Sequence, residues 1–267
     1  MRGADSLVQH LRIAWQYARI GVIRKSQFKV EFWSQVLMDC CWYGAHVAVF
    51  EVLYSHVTDI AGWNREQFRV LLAFLFVSDA FMMIWLGRMW RFWRDVKDGR
   101  LDPFRVRPAS TLFLYGFQEF SVEGCVNMAI ALAYLTYAVA RASVHVTVAR
   151  VAMTLVAILL SWWVRTLILT LYAIVDLWMV GSDAGRFLQE MLHATADRPA
   201  DVFGARLRTF LLYVIPVGAL TQVPAALVLG RYGWGGGLLA VGWLVALGLA
   251  VFAAWNASFR RYESAMG

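Results

Sequence analysis

Seven charged side chains lie inside long apolar stretches of the sequence, and they are the residues in it best placed to do chemistry. They are Asp39, Glu51, Asp79, Glu119, Glu123, Arg165 and Asp176. A charge in an apolar environment needs a partner, because an isolated buried charge is costly. Glu119 and Glu123 are four residues apart and therefore share one helix face. We hypothesise an ion pair between Arg165 and one of these glutamates, either as a structural link between helices or as part of a gate or translocation path.

Sequence motifs for common catalytic chemistry are missing from the chain. It contains no Gly-x-x-x-x-Gly-Lys-[Ser/Thr] phosphate loop, no Gly-x-Ser-x-Gly elbow and no His-Glu-x-x-His zinc motif. The five histidines are scattered, and the adjacent Cys40 and Cys41 do not have zinc-ligand spacing. We therefore expect no catalytic, nucleotide-binding or metal site in this chain. An intramembrane enzyme acting on lipid would need such converging groups.

The composition is typical of a membrane protein. Hydrophobic residues make up 60% of the chain and charged residues only 16%, whereas soluble domains have about 45–50% and about 25%. The 13 Trp and 10 Tyr suit the interface belts of a bilayer. The net charge of +7 is best explained by basic loops beside anionic lipid, so the bilayer and not nucleic acid is the expected partner.

Six stretches are apolar and long enough to cross about 30 Å of hydrocarbon as helices. They are 32–55, 69–88, 111–139, 149–178, 209–229 and 235–256. Residues 1–31 repeat apolar side chains at three- and four-residue steps, which predicts an amphipathic helix on the membrane surface. The predicted fold is an all-α membrane protein, a single transmembrane domain over 1–267. It has the surface helix in 1–31, a six-span bundle over 32–256 and a tail over 257–267.

Lysine and arginine set the orientation of these spans. With the N-terminus in the cytoplasm, the inner segments hold 19 Lys and Arg residues and the outer loops hold five. Both termini are therefore predicted to be cytoplasmic, with the spans in a cell membrane. Glu123 and Arg165 then lie at similar depths, roughly 18 and 20 Å from the inner ends of their helices at about 1.5 Å per residue.

The loop after the second span has a defined start and stop. Gly99 suits the position that ends a helix. Asp102 followed by Pro103 is a helix N-cap with proline at the first helical position. Pro108 disfavours helix at Arg107. This pattern predicts a short rigid helix at the inner membrane face, which a cytoplasmic partner could grip.

The last two spans contain two prolines and a glycine-rich run, at Pro216, Pro224 and 233–237. Prolines are tolerated in membrane helices where neighbours satisfy the freed backbone groups. Two readings stay open: a kinked helix followed by a tight outer turn, or a short re-entrant segment over 230–237 that closes the outer end.

Residues 99–108 resemble the Gly-x-Leu-Asp…Arg-Pro signature of type-2 ATP-binding-cassette (ABC-2) transporter permeases, in a six-span subfamily of similar length. Further similarities lie at 61–63 in the first outer loop, over 208–225 in the fifth span and at 262–265 in the tail. The resemblance therefore covers nearly the whole chain.

The resemblance implies a division of labour. Two permeases, identical or different, form the pathway, and two copies of a separate ABC ATPase subunit bind the cytoplasmic face and carry ATP and Mg²⁺. In the family the first cytoplasmic loop couples the ATPase to the spans, and the N-terminal surface helix here would brace that contact. The implied coupling residues are Gly99, Leu101, Asp102, Pro103, Arg105, Arg107 and Pro108. The implied activity is export, and the apolar and aromatic spans suit a hydrophobic or amphipathic substrate.

Two other functions stay open on the sequence. One is a non-transporting structural or regulatory membrane subunit, which predicts no substrate-dependent ATPase activity in the assembled complex. The other is a secondary transporter, which predicts transport driven by an ion gradient without ATP.

Overall fold

The structure is a computed structural model that describes residues 12–23, 29–105, 110–144, 147–180, 182–232 and 234–261. Most of these residues are helical. The helices are α1 (12–23), α2 (Lys29–His56), α3 (Arg65–Phe81), α4 (Phe92–Lys97), α5 (Asp102–Arg105), α6 (Thr111–Gly116), α7 (Val122–Arg141), α8 (Val148–Trp178), α9 (Ala184–His193), α10 (Ala205–Tyr213), α11 (Ala219–Leu229) and α12 (Trp234–Arg261). Strands β1 (Asp59–Ile60) and β2 (Trp63–Asn64) form an antiparallel hairpin between α2 and α3.

Five helical stretches of the described chain are long and apolar enough to cross a membrane, judged by length and composition. They are Lys29–His56, Arg65–Lys97, Val122–Arg141, Val148–Trp178 and Gly235–Arg261. The predicted all-α, multi-pass membrane fold is thereby confirmed. The boundaries differ from the prediction in two places. The predicted third span over 111–139 is divided into α6 and α7, and the predicted fifth span over 209–229 is not one helix.

The helices define two ends of a bundle. We call the end that contains Lys97, α5 and the end of α8 the basic end. The hairpin end contains β1 and β2, and also Arg141, which lies 3.8 Å from Glu66 in the first turn of α3. The helix α3 is the centre of the bundle, because nearly all of its side chains between Phe68 and Ala80 are buried. By contrast, α2 and α12 expose broad apolar faces, as lipid-facing helices do.

The helices α8 and α12 run parallel to each other. Trp163 of α8 donates to the Leu244 carbonyl of α12 (3.1 Å), and Trp178 donates to the Ser258 hydroxyl near the other end (2.7 Å). Because both helices run from the hairpin end to the basic end, the chain between them must return to the hairpin end.

The return begins over residues 183–201. Asp183 lies 3.8 Å from Lys97 at the basic end, and Asp201 accepts a hydrogen bond from the Trp63 indole towards the hairpin end (3.0 Å). Only α9 in the first half of this passage is an α-helix. This passage contains polar side chains that are sparse in the long apolar helices. Because its apolar content is low, the search of the sequence for long apolar stretches did not identify it.

The segment predicted as the fifth span is two helices, α10 and α11, joined by a turn over 214–218. Pro216 lies in this turn, where its missing N–H cannot continue a helix. The turn brings the chain back to its starting point: the Gly218 N–H donates to the Leu211 carbonyl (2.9 Å), and a Cβ on Gly218 would lie 2.8 Å from the Ala200 Cβ. The helix α10 is therefore an excursion, and α11 completes the return.

Pro224 lies inside α11, and a side chain of α8 replaces the hydrogen bond that this proline removes. Proline has no N–H, so the Leu220 carbonyl one turn earlier loses its helical donor. Ser161 of α8 donates to this carbonyl instead (3.1 Å). At the other end of α11, Gly230 has φ +70 and α12 begins at Trp234. The described residues of 230–237 therefore form no separate re-entrant helix, and Gly235, Gly236 and Gly237 lie in the first turn of α12.

The second span changes its winding near the basic end. It continues from α3 as a π-helix over Met82–Leu86 and a 3₁₀-helix over Gly87–Arg91 before α4. The wider π-turn leaves the Ile84 carbonyl able to accept from the Ser121 N–H (3.1 Å) at the start of α7. Gly124 fits against the same turn, since a Cβ there would lie 2.8 Å from the Ile84 nitrogen. Irregular turns inside helices are often found at functional sites.

Candidate functional site

The loop predicted to couple to an ATPase contains a short helix, α5, at the basic end. Gly99 follows the last residue of α4 by two positions and has φ +66, as expected for a glycine that ends a helix. The helix α5 begins at Asp102, the residue predicted as its N-cap and one position before the predicted first helical residue. Arg105 is its last described residue, and the side chain of Arg105 is not described. Arg107 and Pro108 lie outside the described residues.

The helix α5 is anchored by its apolar side chains. Leu101 is fully buried, and Phe104 is buried with its ring 5.6 Å from the ring of Tyr115 in α6. Pro103 between them is exposed. The helix is thus fixed to the bundle on one side and presents a rigid surface on the other.

A buried carboxylate connects this region to the irregular part of the second span. Asp95 of α4 accepts hydrogen bonds from the Tyr115 hydroxyl (2.8 Å) and from Arg88 Nε (3.0 Å). Its backbone carbonyl accepts from the Arg100 N–H in the loop before α5 (2.9 Å). One residue therefore joins the 3₁₀-turn, α4, α6 and the approach to α5. We call Arg88, Asp95 and Tyr115 the basic-end triad.

Burial fixes the protonation of the Tyr115 hydroxyl. Burial, followed by the neighbouring Asp95 carboxylate, raises the pKa of the Tyr115 hydroxyl far above its ordinary value. Tyr115 therefore stays protonated and donates to Asp95. The Arg88 guanidinium lies 2.8 Å from Asp95 and places a cation beside this buried side chain.

Glu119 belongs to the same end of the bundle. It lies in the non-helical link between α6 and α7, and its carboxylate is 2.7 Å from Arg91 and 3.5 Å from Arg88. These contacts connect the 3₁₀-turn to the link. The helix α1 also contacts this link, because a Cβ on Gly21 would lie 2.6 Å from the Phe120 carbonyl oxygen. The predicted surface helix therefore lies against the segment that carries Glu119.

The hypothesised pair between Arg165 and Glu119 or Glu123 is corrected by the structure. Arg165 of α8 forms an ion pair with Asp79 of α3 and donates to the Ser78 hydroxyl (2.8 Å). Both charged side chains are almost fully buried.

The error has a physical cause in the break between α6 and α7. Because α7 begins only at Val122, Glu123 lies in its first turn, towards the basic end, and accepts from the Ser121 hydroxyl (2.9 Å). A continuous helix from residue 111 would have placed Glu123 more than two turns farther from the basic end. Asp79 lies at the depth that the sequence analysis assigned to Glu123.

A second polar cluster lies towards the hairpin end and was missed by the sequence analysis. Asp201 accepts from the Trp63 indole (3.0 Å) and from Gln222 Nε2 (2.8 Å), and it pairs with Arg208 (2.9 Å). Arg231 lies over the Trp63 ring at 4.1 Å. This cluster joins the β-hairpin, the return passage, α10 and α11. These residues are far apart in the sequence, and the family similarities at 61–63 and over 208–225 were the signals noted there.

Asp201→Ala is expected to loosen the hairpin end. The variant removes the acceptor shared by Trp63, Gln222 and Arg208, and each hydrogen bond to a charged group contributes about 1.5–3 kcal/mol. Hydrogen exchange of amides in 57–64 and 205–213 should become at least about tenfold faster, the effect of roughly 1.4 kcal/mol in local opening. Glu190→Ala is the control, because Glu190 is exposed and pairs with Arg186 within α9 (3.3 Å), outside both measured segments. Equal exchange rates in the wild type and the Asp201 variant would contradict the role given to the cluster.

The family model described as "ABC-2 family transporter protein" matches residues 40–266, which include all five long helical stretches except the start of the first. The comparisons with curated proteins and with solved structures give no match. The matched region covers most of the chain, so this protein belongs to the ABC-2 family of transporter proteins.

Proposed function

We propose that this chain is the permease subunit of an ATP-driven exporter and that α5 is its contact with a separate ABC ATPase. Membership of the ABC-2 family supports a membrane-embedded permease that works with an ABC ATPase. The observation that carries the finer proposal is the anchoring of α5. Its buried Leu101 and Phe104 hold it to the bundle and leave Pro103 exposed.

ATP and Mg²⁺ would bind the partner ATPase, and the permease itself would carry neither cofactor nor catalytic site. The sequence supports this division, since it lacks a phosphate loop. Closure of an ATPase dimer can move the permease only through contacts that differ between two states. A short helix fixed at the basic end transmits such a movement, because it cannot move independently of α4 and α6.

The basic end is proposed to be cytoplasmic, in the cell membrane. This places both described termini on the cytoplasmic side, with the passage over 183–201 and α11 as the fifth crossing. The excess of Lys and Arg at this end supports the orientation. A second permease, identical or different, is proposed to complete the pathway, and the exposed apolar faces of α2 and α12 offer surface for it. A hydrophobic or amphipathic substrate suits these spans.

Pro103→Glu is expected to release the ATPase without unfolding the permease. A carboxylate at this exposed position would remove an apolar contact from the interface and leave Leu101 and Phe104 in place. The measurement is recovery of a P-loop ATPase with the tagged chain from native membranes in mild detergent, quantified by mass spectrometry. Recovery should fall at least about tenfold, which corresponds to roughly 1.4 kcal/mol of binding free energy.

The matched control is Val148→Glu, at an exposed residue of the hairpin end, which should retain the ATPase. If both variants recover the ATPase equally, α5 is not the contact. If no ATPase is recovered with the wild type even after crosslinking, the proposed ATP-driven transport has no ATPase subunit. A structural or regulatory subunit then becomes the better assignment. Transport by the chain alone, driven by an ion gradient, would instead assign a secondary transporter.

A further inference from the structure

An apolar cleft of about 230 Å³ lies on the basic-end half of the bundle. Its walls come from four elements. Leu86 and Met89 belong to the irregular part of the second span, Phe113 and Gly116 to α6, Thr170 to α8 and Phe252 to α12. It is separate from the basic-end triad and from the cluster around Asp201, neither of which lines it.

The cleft is apolar although threonines line it. The Thr166 hydroxyl donates to the Trp162 carbonyl (3.0 Å), and the Thr170 hydroxyl donates to the Thr166 carbonyl (2.7 Å). Both hydroxyls are thus satisfied within α8. Gly116 leaves space in the opposite wall, where a Cβ would lie 3.2 Å from Leu86 Cδ2. A cleft with such walls favours hydrocarbon over water.

The depth of the cleft places it beside lipid tails. Thr166 and Thr170 precede the basic end of α8 at Trp178 by twelve and eight residues. At about 1.5 Å per residue they lie roughly 18 and 12 Å from that end. In a hydrocarbon core about 30 Å thick, these depths lie on either side of the midplane. The cleft is therefore level with the acyl chains of the leaflet at the basic end.

The charge at the basic end complements an anionic headgroup. The segment 88–100 holds five Lys and Arg residues against two Asp residues. Arg91 and Lys97 pair with Glu119 (2.7 Å) and Asp183 (3.8 Å), but each is still 52% exposed, which leaves part of its charge accessible to a phosphate at the membrane surface. Basic residues next to a membrane attract anionic lipid by about 1 kcal/mol each.

We propose that the cleft is a binding site for one acyl chain of an anionic phospholipid from the leaflet at the basic end. A water molecule takes up about 30 Å³ of liquid, and a methylene group is of similar size, so the cleft holds a segment of roughly eight methylenes. A bound chain would contact α6, α8 and the 3₁₀-turn together and so stabilise the packing around α5. The inference requires the membrane-embedded bundle but not transport activity.

The test is photolabelling of the full chain in lipid nanodiscs. The probe is phosphatidylglycerol with a diazirine in the middle of one acyl chain, and labelled peptides are mapped by mass spectrometry. Labels are expected to concentrate in 112–117 and 166–170. Thr166→Phe should reduce labelling there at least about fivefold by filling the cleft. Leu159→Phe should not, because Leu159 is exposed on the same helix and lies outside the cleft.

Thr170→Phe is a second variant with the same expected loss, in case Thr166→Phe does not fold. A phosphatidylcholine probe with the same chain should label the cleft less than phosphatidylglycerol, and equal labelling would overturn the anionic preference. Labelling of 112–117 and 166–170 that is no denser than on the exposed faces of α2 and α12 would overturn the site itself.

Discussion

Arg165→Met is expected to destabilise the folded chain by about 3–5 kcal/mol, because it leaves the Asp79 carboxylate buried without its cation. The measurement is the free energy of unfolding in mixed detergent micelles. The double variant Arg165→Met with Asp79→Leu should recover most of the loss, since replacing both members of a buried pair by apolar residues is often nearly neutral. A double variant as unstable as the single one would show that the pair is not the unit that stabilises this site.

The same cycle with Glu123 tests the corrected pairing. Glu123 bonds with Ser121 at the start of α7, not with Arg165. The effects of Arg165→Met and Glu123→Gln should therefore add to within about 0.5 kcal/mol, as for independent sites. A coupling larger than this would restore the pairing that the sequence suggested.

Tyr115→Phe is expected to lower the amount of substrate transported per ATP hydrolysed by about fivefold to tenfold in the reconstituted complex. The variant removes the hydroxyl that binds Asp95 and leaves the ring against Phe104. It thus weakens the link between α5 and the irregular second span, and coupling free energies between sites are typically about 1–3 kcal/mol. Asp95→Ala should have the same effect and also destabilise the chain, because Arg88 loses its buried partner.

Tyr137→Phe is the matched control. It removes the same hydroxyl group, but Tyr137 is 49% exposed on α7 and lies away from the triad. A merely structural role for Tyr115 would lower the unfolding free energy and leave the transport-to-ATP ratio unchanged. That outcome would remove the triad from the coupling path. Failure of the ATPase to bind at all would instead count against the proposed function.

The sequence predicted the spans whose apolar runs are continuous. Four of the six predicted ranges correspond to long helices, because a run of about 20 apolar residues has few alternatives to a membrane helix. It also predicted the local conformation around Gly99 and the start of α5 at Asp102, since helix ends depend on a few neighbouring residues. The break between α6 and α7 was missed, because no proline or glycine marks residues 117–121.

The return passage between α8 and α12 could not be predicted from apolar content. Residues 183–201 contain charged and polar side chains, and their partners come from other elements: Lys97 contacts Asp183, and Trp63 and Gln222 contact Asp201. The most apolar part of the return is one continuous apolar stretch in the sequence, and the sequence pattern therefore predicted a single helix there. In the structure the turn at Pro216 divides it. Periodicity describes one helix at a time and does not reveal which segments lie side by side.

The sequence by itself determined that the protein lies in a membrane and is helical. It also determined the family resemblance and the helix ends in the loop around α5. These follow from hydropathy, charge and local backbone preferences, which each residue carries with it. Only the tertiary structure decided the partners of the buried charges. Arg165 meets Asp79 because α8 packs against α3, and Tyr115 meets Asp95 because α6 folds back on α4. Ion pairs in a bundle depend on the relative depth of whole helices, and that depth is set by packing between them.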